Sequence, residues 1–277
     1  MRVRSTVVAA VLAIAAVRCV DLSLVTQFAE ASRGVAVALP RIAQQASAAC
    51  LRANGFINDA NHVDSLPCGA YATLNPAIDE VNSALFAYIA ALGKLASADI
   101  SKTGSGFDNL SADLTKGDPK ISAATVGKAS AAGGLAKAVT NIWANGYRQK
   151  EVATIIAHND SAVQAVTSFL TEYAAGKYRQ SIEDQLRYER SYCGIMKSDR
   201  EPLASDLLAR TCAADSVQTE VQLEAIDAYR RAIDTIAVTH AKLNSRHGKF
   251  DAKWLVANLG PPIGSLVNAA ASVKKAF

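Results

Sequence analysis

The sequence predicts an all-α fold, an elongated antiparallel helical bundle with coiled-coil-like seams and no sheet. Three observations carry this reading. Apolar residues recur at alternating steps of three and four, the spacing that keeps one stripe of a helix against a partner. Alanine supplies 54 of the 277 residues, and it favours helix while burying little apolar area. Seven prolines and 16 glycines leave room for long uninterrupted helices. No run alternates apolar and polar residues in the manner of a strand.

Arg2 and Arg4 precede an unbroken apolar run from Val7 to Val17. Eleven residues are too few to span a bilayer, which takes about 20. They match the apolar stretch of a secretory signal, so residues 1–18 are expected to be a signal peptide. Ala13-Ile14-Ala15 offers an ordinary cleavage site. Ala16-Val17-Arg18-Cys19 resembles instead the lipobox of bacterial lipoproteins, in a degenerate form. Leucine is usual where Ala16 stands, and a small residue where Arg18 stands. The resemblance implies lipid on Cys19 as the first mature residue and an envelope location.

The mature part, 19–277, is expected to form one bundle domain. Its first stripe is Val25, Phe28, Ser32, Val35, Leu39, Ile42, Ala46 and Ala49, with Pro40 predicted to kink it. Asn75-Pro76 reads as the start of a second helix, with Leu74, Ile78, Val81, Leu85, Tyr88, Leu92 and Leu95 on its seam. Residues 100–120 are turn-rich and read as an irregular insertion. Helix resumes near Lys120 towards Trp143. A further stripe runs through Val152, Ile155, Ile156, Val163, Val166, Leu170, Tyr173 and Lys177 towards Tyr192. Glu201-Pro202 opens a short helix ending near Cys212. The clearest seam follows, from Ile226 through Tyr229, Ile233, Ile236, His240 and Leu243 to His247, and Gly248 stops it. Pro261-Pro262 is expected to split the 249–277 tail into two amphipathic pieces.

Setting Cys19 aside, four cysteines remain, in two local pairs with 17 and 18 intervening residues. Four cysteines allow three connectivities. Helical hairpins favour Cys50–Cys68 and Cys193–Cys212, given an oxidising compartment.

Removing residues 1–18 and their three arginines leaves 26 basic residues against 25 acidic ones. That balance gives no electrostatic case for nucleic acid, which calls for a clustered basic face. No C-x-x-C, H-x-x-x-H or E-x-x-H spacing occurs, so no metal site and no cofactor is expected. A nucleophile elbow and a phosphate-binding loop are both missing, so no catalytic residue is assigned. His158-Asn159-Asp160 reads as an N-cap string, and His240 and His247 as histidines near a wet bundle end. The tyrosines at 173, 178, 188 and 192 form the most suggestive cluster. With Arg179 and Arg187 between them, Tyr178, Tyr188 and Tyr192 make a candidate partner surface, against the simpler reading of phenols tucked under a neighbouring helix. Ser122 to Val139 is rich in small residues, but Lys128 and Lys137 make it a poor spanning helix.

The functional expectation is an exported, non-enzymatic helical-bundle protein of the cell envelope, periplasmic or membrane-anchored through Cys19. Its role would be structural or partner-binding, towards an envelope protein or a membrane surface. A membrane-perturbing helical protein and an enzyme with an unrecognised site are the alternatives.

Overall fold

A computed structural model describes residues 22–59, 66–97, 123–144, 151–196 and 202–277. Nearly all of them are helical, and no strand occurs among them. The helices are α1 (Ser23–Ala36), α2 (Ala38–Asp59), α3 (Gly69–Ala96), α4 (Ala123–Ala144), α5 (Val152–Leu170), α6 (Arg179–Met196), α7 (Pro202–Ser245) and α8 (Ala252–Ala276). A π-helical segment, Thr171–Tyr178, joins α5 to α6 without interruption.

All eight residues of the first predicted stripe are buried, from Val25 to Ala49. The stripe survives a break at Val37, between α1 and α2. Pro40 explains the break. It has no N–H to offer the Ala36 carbonyl, and its ring crowds that carbonyl. The expected kink is therefore a separation into two helices, with Pro40 in the first turn of α2, where a missing donor costs little. Asn82 on α3 supplies the missing bond, its Nδ2 donating to the Ala36 oxygen at 3.0 Å.

Three prolines expected to bound helices lie inside them. α3 begins at Gly69 and passes through Pro76. Its first turns are held from outside, by the neighbouring Cys50–Cys68 disulfide and by Asn75, whose amide donates to the Ala43 carbonyl at 3.3 Å. α8 runs through Pro261 and Pro262 as one helix. The carbonyls those rings free belong to Ala257 and Asn258, which are exposed and half-buried. Water can satisfy them, while Leu255, Leu259, Leu266, Ala269 and Val273 stay on one buried edge. Asp251 caps α8, accepting from Trp254 N–H at 2.8 Å.

The two helices expected between Pro202 and His247 are one helix of 44 residues, about 66 Å long at 1.5 Å per residue. Polar contacts carry it across the stretch without a strong stripe. Gln185 donates to the Thr219 hydroxyl at 3.4 Å, and Arg190 pairs with Glu220 at 2.6 Å. The helix ends as expected near Gly248, which adopts φ +79 just after His247 at φ +48.

The rod from Val152 to Met196 lies antiparallel to α7, because Gln164, Thr171 and Gln185 meet Ala237, Asp234 and Thr219 in turn. α3 runs antiparallel to the α1–α2 pair, with Asn75 near Ala43 of α2 and Asn82 near Ala36 of α1. α2 and α6, far apart in sequence, run parallel: Ser181 reaches the Ala46 carbonyl and Arg52 reaches Gln185. α8 folds back along α7 and also covers α1, while α4 packs on α3 and α5.

Small residues set the closest approach. A methyl group on Gly93 would overlap the Ala29 Cβ, so α1 and α3 approach closely there. Thr26 seals the contact, donating to the Gly93 carbonyl at 3.0 Å. Three fully buried tyrosines, Tyr88, Tyr178 and Tyr229, fill the wider levels of the core.

Candidate functional site

The π-helical segment borders a cleft of ligand-like shape that also gathers predicted residues. Its sequence, Thr171-Glu172-Tyr173-Ala174-Ala175-Gly176-Lys177-Tyr178, contains small residues where the chain widens. The wider turn slips the buried stripe by one position. Straight continuation from Leu170 would bury Lys177; instead Tyr178 is 1% exposed and Lys177 faces outward. Ile182, Gln185 and Glu189 then follow Tyr178 inward. π-helical turns occur frequently at functional sites because they displace side chains from the regular path.

Hydrogen bonds from two buried hydroxyls tie the slipped segment and the start of α6 to their neighbours. The Tyr178 hydroxyl donates to Asn75 Oδ1 at 2.8 Å, and the Ser181 hydroxyl donates to the Ala46 carbonyl at 2.6 Å. Burial, with the Asp79 carboxylate and the Tyr173 and Tyr71 phenols nearby, pushes the Tyr178 phenol well above its usual range, so it stays a neutral donor.

Between this segment, the start of α3 and the Cys50–Cys68 disulfide lies an open cleft of about 310 Å3. Leu66, Pro67, Leu74 and Ile78 form its apolar floor, with the Tyr71 and Tyr173 rings beside them. Tyr71 packs at 6.2 Å from Tyr178, and Tyr173 at 5.3 Å from Phe169, both ring to ring. Lys177, Gln180 and Asp184 provide its charged and amide groups. Asp184 is already paired with Arg187 at 2.7 Å.

The predicted partner surface is therefore divided. Tyr178 is inside the core and contributes to the cleft wall, not to an exposed face. Arg179 pairs with Glu183 at 2.8 Å and Asp227 at 2.6 Å, pinning α6 to α7. Arg187 lies over the Tyr188 ring at 4.8 Å, on the outer face. Tyr192 is half-buried against Phe56 at 5.4 Å. Sequence reasoning missed Tyr71, Asn75 and the outward turn of Lys177. The available signal was the phase slip between Leu170 and the Tyr178-Ile182 stripe.

The histidines are also placed differently from expectation. His158, Asn159 and Asp160 sit in the middle of α5, not at a cap. His240 is 1% exposed and central. Its Nδ1 lies 2.7 Å from Asp160 Oδ1, and its Nε2 lies 3.0 Å from the Tyr88 hydroxyl. Asn244 and Gln164 also donate to Asp160, at 3.1 and 3.4 Å. This chain joins α3, α5 and α7 through satisfied polar groups, and its imidazole is enclosed. His247 is exposed in the turn after α7. Among the described residues no group of three or more His, Cys, Asp or Glu could hold a metal ion.

Both local cysteine pairs are joined as the hairpin reading expects. Cys50–Cys68 spans a Cα separation of 5.6 Å, and Cys193–Cys212 one of 6.3 Å. The pairs point to an oxidising, exported environment. No described helix is long and apolar enough to cross a membrane. Cys19, the expected signal segment 1–18 and the whole of the 100–120 insertion lie outside the described residues. Comparison with known protein families, with curated proteins and with solved structures finds no match.

Proposed function

We propose that the chain is an exported, non-enzymatic binding protein of the cell envelope, and that its ligand enters the tyrosine-lined cleft beside the π-helical segment. The cleft carries the reading: a concave, mostly apolar surface with a few convergent polar groups is the form small-molecule sites take. Its walls are three helical elements and a disulfide, so the site is pre-formed. The basic start and apolar run of residues 1–18, together with the two disulfides, support export. Lipid on Cys19 would hold the bundle at a membrane.

The test has two parts. Intact mass of the mature protein reports cleavage and acylation; a reduced chain with residues 1–18 retained contradicts export. A thermal-shift panel of small aromatic and aliphatic compounds tests the cleft, because a ligand that binds only the native state raises its melting temperature. Compounds that stabilise the wild type but not Ala70→Trp, which fills the cleft rim, support the reading. No stabilising compound, or equal shifts in both proteins, refutes it.

A second reading, a protein partner at the Cys193–Cys212 hairpin, is favoured by one observation. Between the two cysteines in sequence, Leu203 is 84%, Leu207 67% and Ile195 54% exposed. A photocrosslinker at Leu207 that captures the same envelope protein in cells, and loses it on Leu203→Ser, would favour this reading.

A further inference from the structure

We infer that the cleft selects a flat aromatic acid of one or two rings, its ring plane against the Tyr71 and Tyr173 side chains and its anionic group at Lys177. The inference rests on the reading of the cleft as a ligand site and adds the ligand's chemical class.

Hydrogen-bonding capacity inside the cleft is mostly committed. Tyr178 donates to Asn75, Ser181 to the Ala46 carbonyl, and Tyr71 to the Lys177 carbonyl at 3.4 Å. What the walls still offer a ligand is ring surface, aliphatic surface, the Tyr173 hydroxyl, the Gln180 amide and, as the only cation, Lys177. Aromatic rings favour offset or edge-on contact with other rings, so two phenols in one cleft suit a planar body better than a flexible chain. Charge decides the other end of the ligand. Lys177 is the single basic residue of the lining, and the Asp184 carboxylate is offset by Arg187. A site with this balance favours an anion. Size limits the body: about 310 Å3 is near the lower bound of small-molecule pockets. A diacyl lipid or a folded peptide segment is too large.

The experiment titrates the mature, oxidised protein with 2-naphthoate, its neutral isostere 2-naphthamide and dodecanoate at low salt. Calorimetry gives the affinities, and tyrosine-ring NMR locates the site. The expected result is naphthoate binding about tenfold tighter than naphthamide, the size of one charge-assisted contact. Lys177→Gln, at an exposed position, should abolish that difference. Lys177→Arg should preserve it. Equal binding of acid and amide, or an acid preference that survives Lys177→Gln, overturns the charge assignment. Tighter binding of dodecanoate overturns the aromatic assignment. In those cases the cleft still binds a ligand and only the inferred class fails. If no probe shifts the Tyr71 and Tyr173 resonances, the ligand-site reading falls as well.

Discussion

Asn82 completes the hydrogen bonding that Pro40 leaves open. The proline has no N–H for the Ala36 carbonyl, and the Asn82 amide donates to that carbonyl at 3.0 Å. The other end of the same amide accepts from the Tyr229 hydroxyl at 3.1 Å. One side chain thus joins the α1–α2 break, α3 and α7 in the core. Asn82→Ala strands a buried carbonyl and a buried phenol. It should destabilise the bundle by about 2–4 kcal/mol, while Tyr229→Phe, which removes one hydroxyl, should cost about 1 kcal/mol. Urea denaturation of both single variants and the double variant checks the coupling; additive losses would contradict it.

Gly93 tests whether close helix approach is a working part of the packing. Gly93→Ala places a methyl group on Ala29 Cβ and should destabilise by about 1–3 kcal/mol. Adding Ala29→Gly should restore part of the loss. Gly133→Ala, where an added Cβ meets nothing within 4 Å, should instead stabilise by up to about 1 kcal/mol. Thermal unfolding of the three variants reads out both directions.

The pair formed by buried His240 and half-buried Asp160 predicts acid sensitivity. Burial depresses the His240 imidazole, with the Asp160 hydrogen bond and charge offsetting part of the effect. The unfolded chain therefore takes up a proton that the native state resists, so stability falls as pH drops below about 6.5. Burial alone would raise Asp160. The hydrogen bond and charge of His240, with hydrogen bonds from Gln164 and Asn244, outweigh it and hold the carboxyl below its ordinary range. Its contribution is present above the unfolded carboxyl pKa and is lost in stronger acid, as pH falls through the lower native value. His240→Gln should cost about 1–3 kcal/mol at pH 7 and flatten the stability profile between pH 7 and about 5. Burial raises Glu189, which titrates in the opposite sense, but it is common to both proteins and cancels in the comparison. Parallel pH profiles would contradict the assignment.

The two disulfides should differ in consequence. Either Cys→Ala pair removes about 3 kcal/mol in the chain-entropy account. Cys50 lines the cleft, so Cys50→Ala with Cys68→Ala should also perturb the Tyr71 environment. Cys193→Ala with Cys212→Ala should loosen the exposed hairpin alone. Hydrogen exchange, mapped by segment, separates these outcomes.

Much of the architecture was legible because a buried helical face leaves a plain trace. Every residue from Val25 to Ala49 on the first stripe is inside, and Ile226 to Leu243 repeats the pattern. Cysteine spacing likewise gave the two pairings, since local bridges suit hairpins. Pro76, Pro261 and Pro262 misled, because a helix tolerates an inner proline where neighbouring contacts hold its turns or water reaches the freed carbonyl. The join inside α7 was hidden because the residues buried there, Thr219 and Gln222, are polar and leave no apolar stripe. Asp160 resembled a cap because a cap and a hydrogen-bond partner for buried His240 use the same residue type. The cleft was least legible: it depends on one extra residue in a turn, which alters phase and not composition.

Tyrosine-labelled spectra of the mature protein, recorded during addition of 2-naphthoate to wild type and to Ala70→Trp, probe the cleft most directly. Saturable shifts confined to Tyr71, Tyr173 and their ring neighbours, in the wild type and absent from the variant, are the predicted result. Unchanged wild-type spectra, or the same shifts in both proteins, would contradict a binding role for the widened turn.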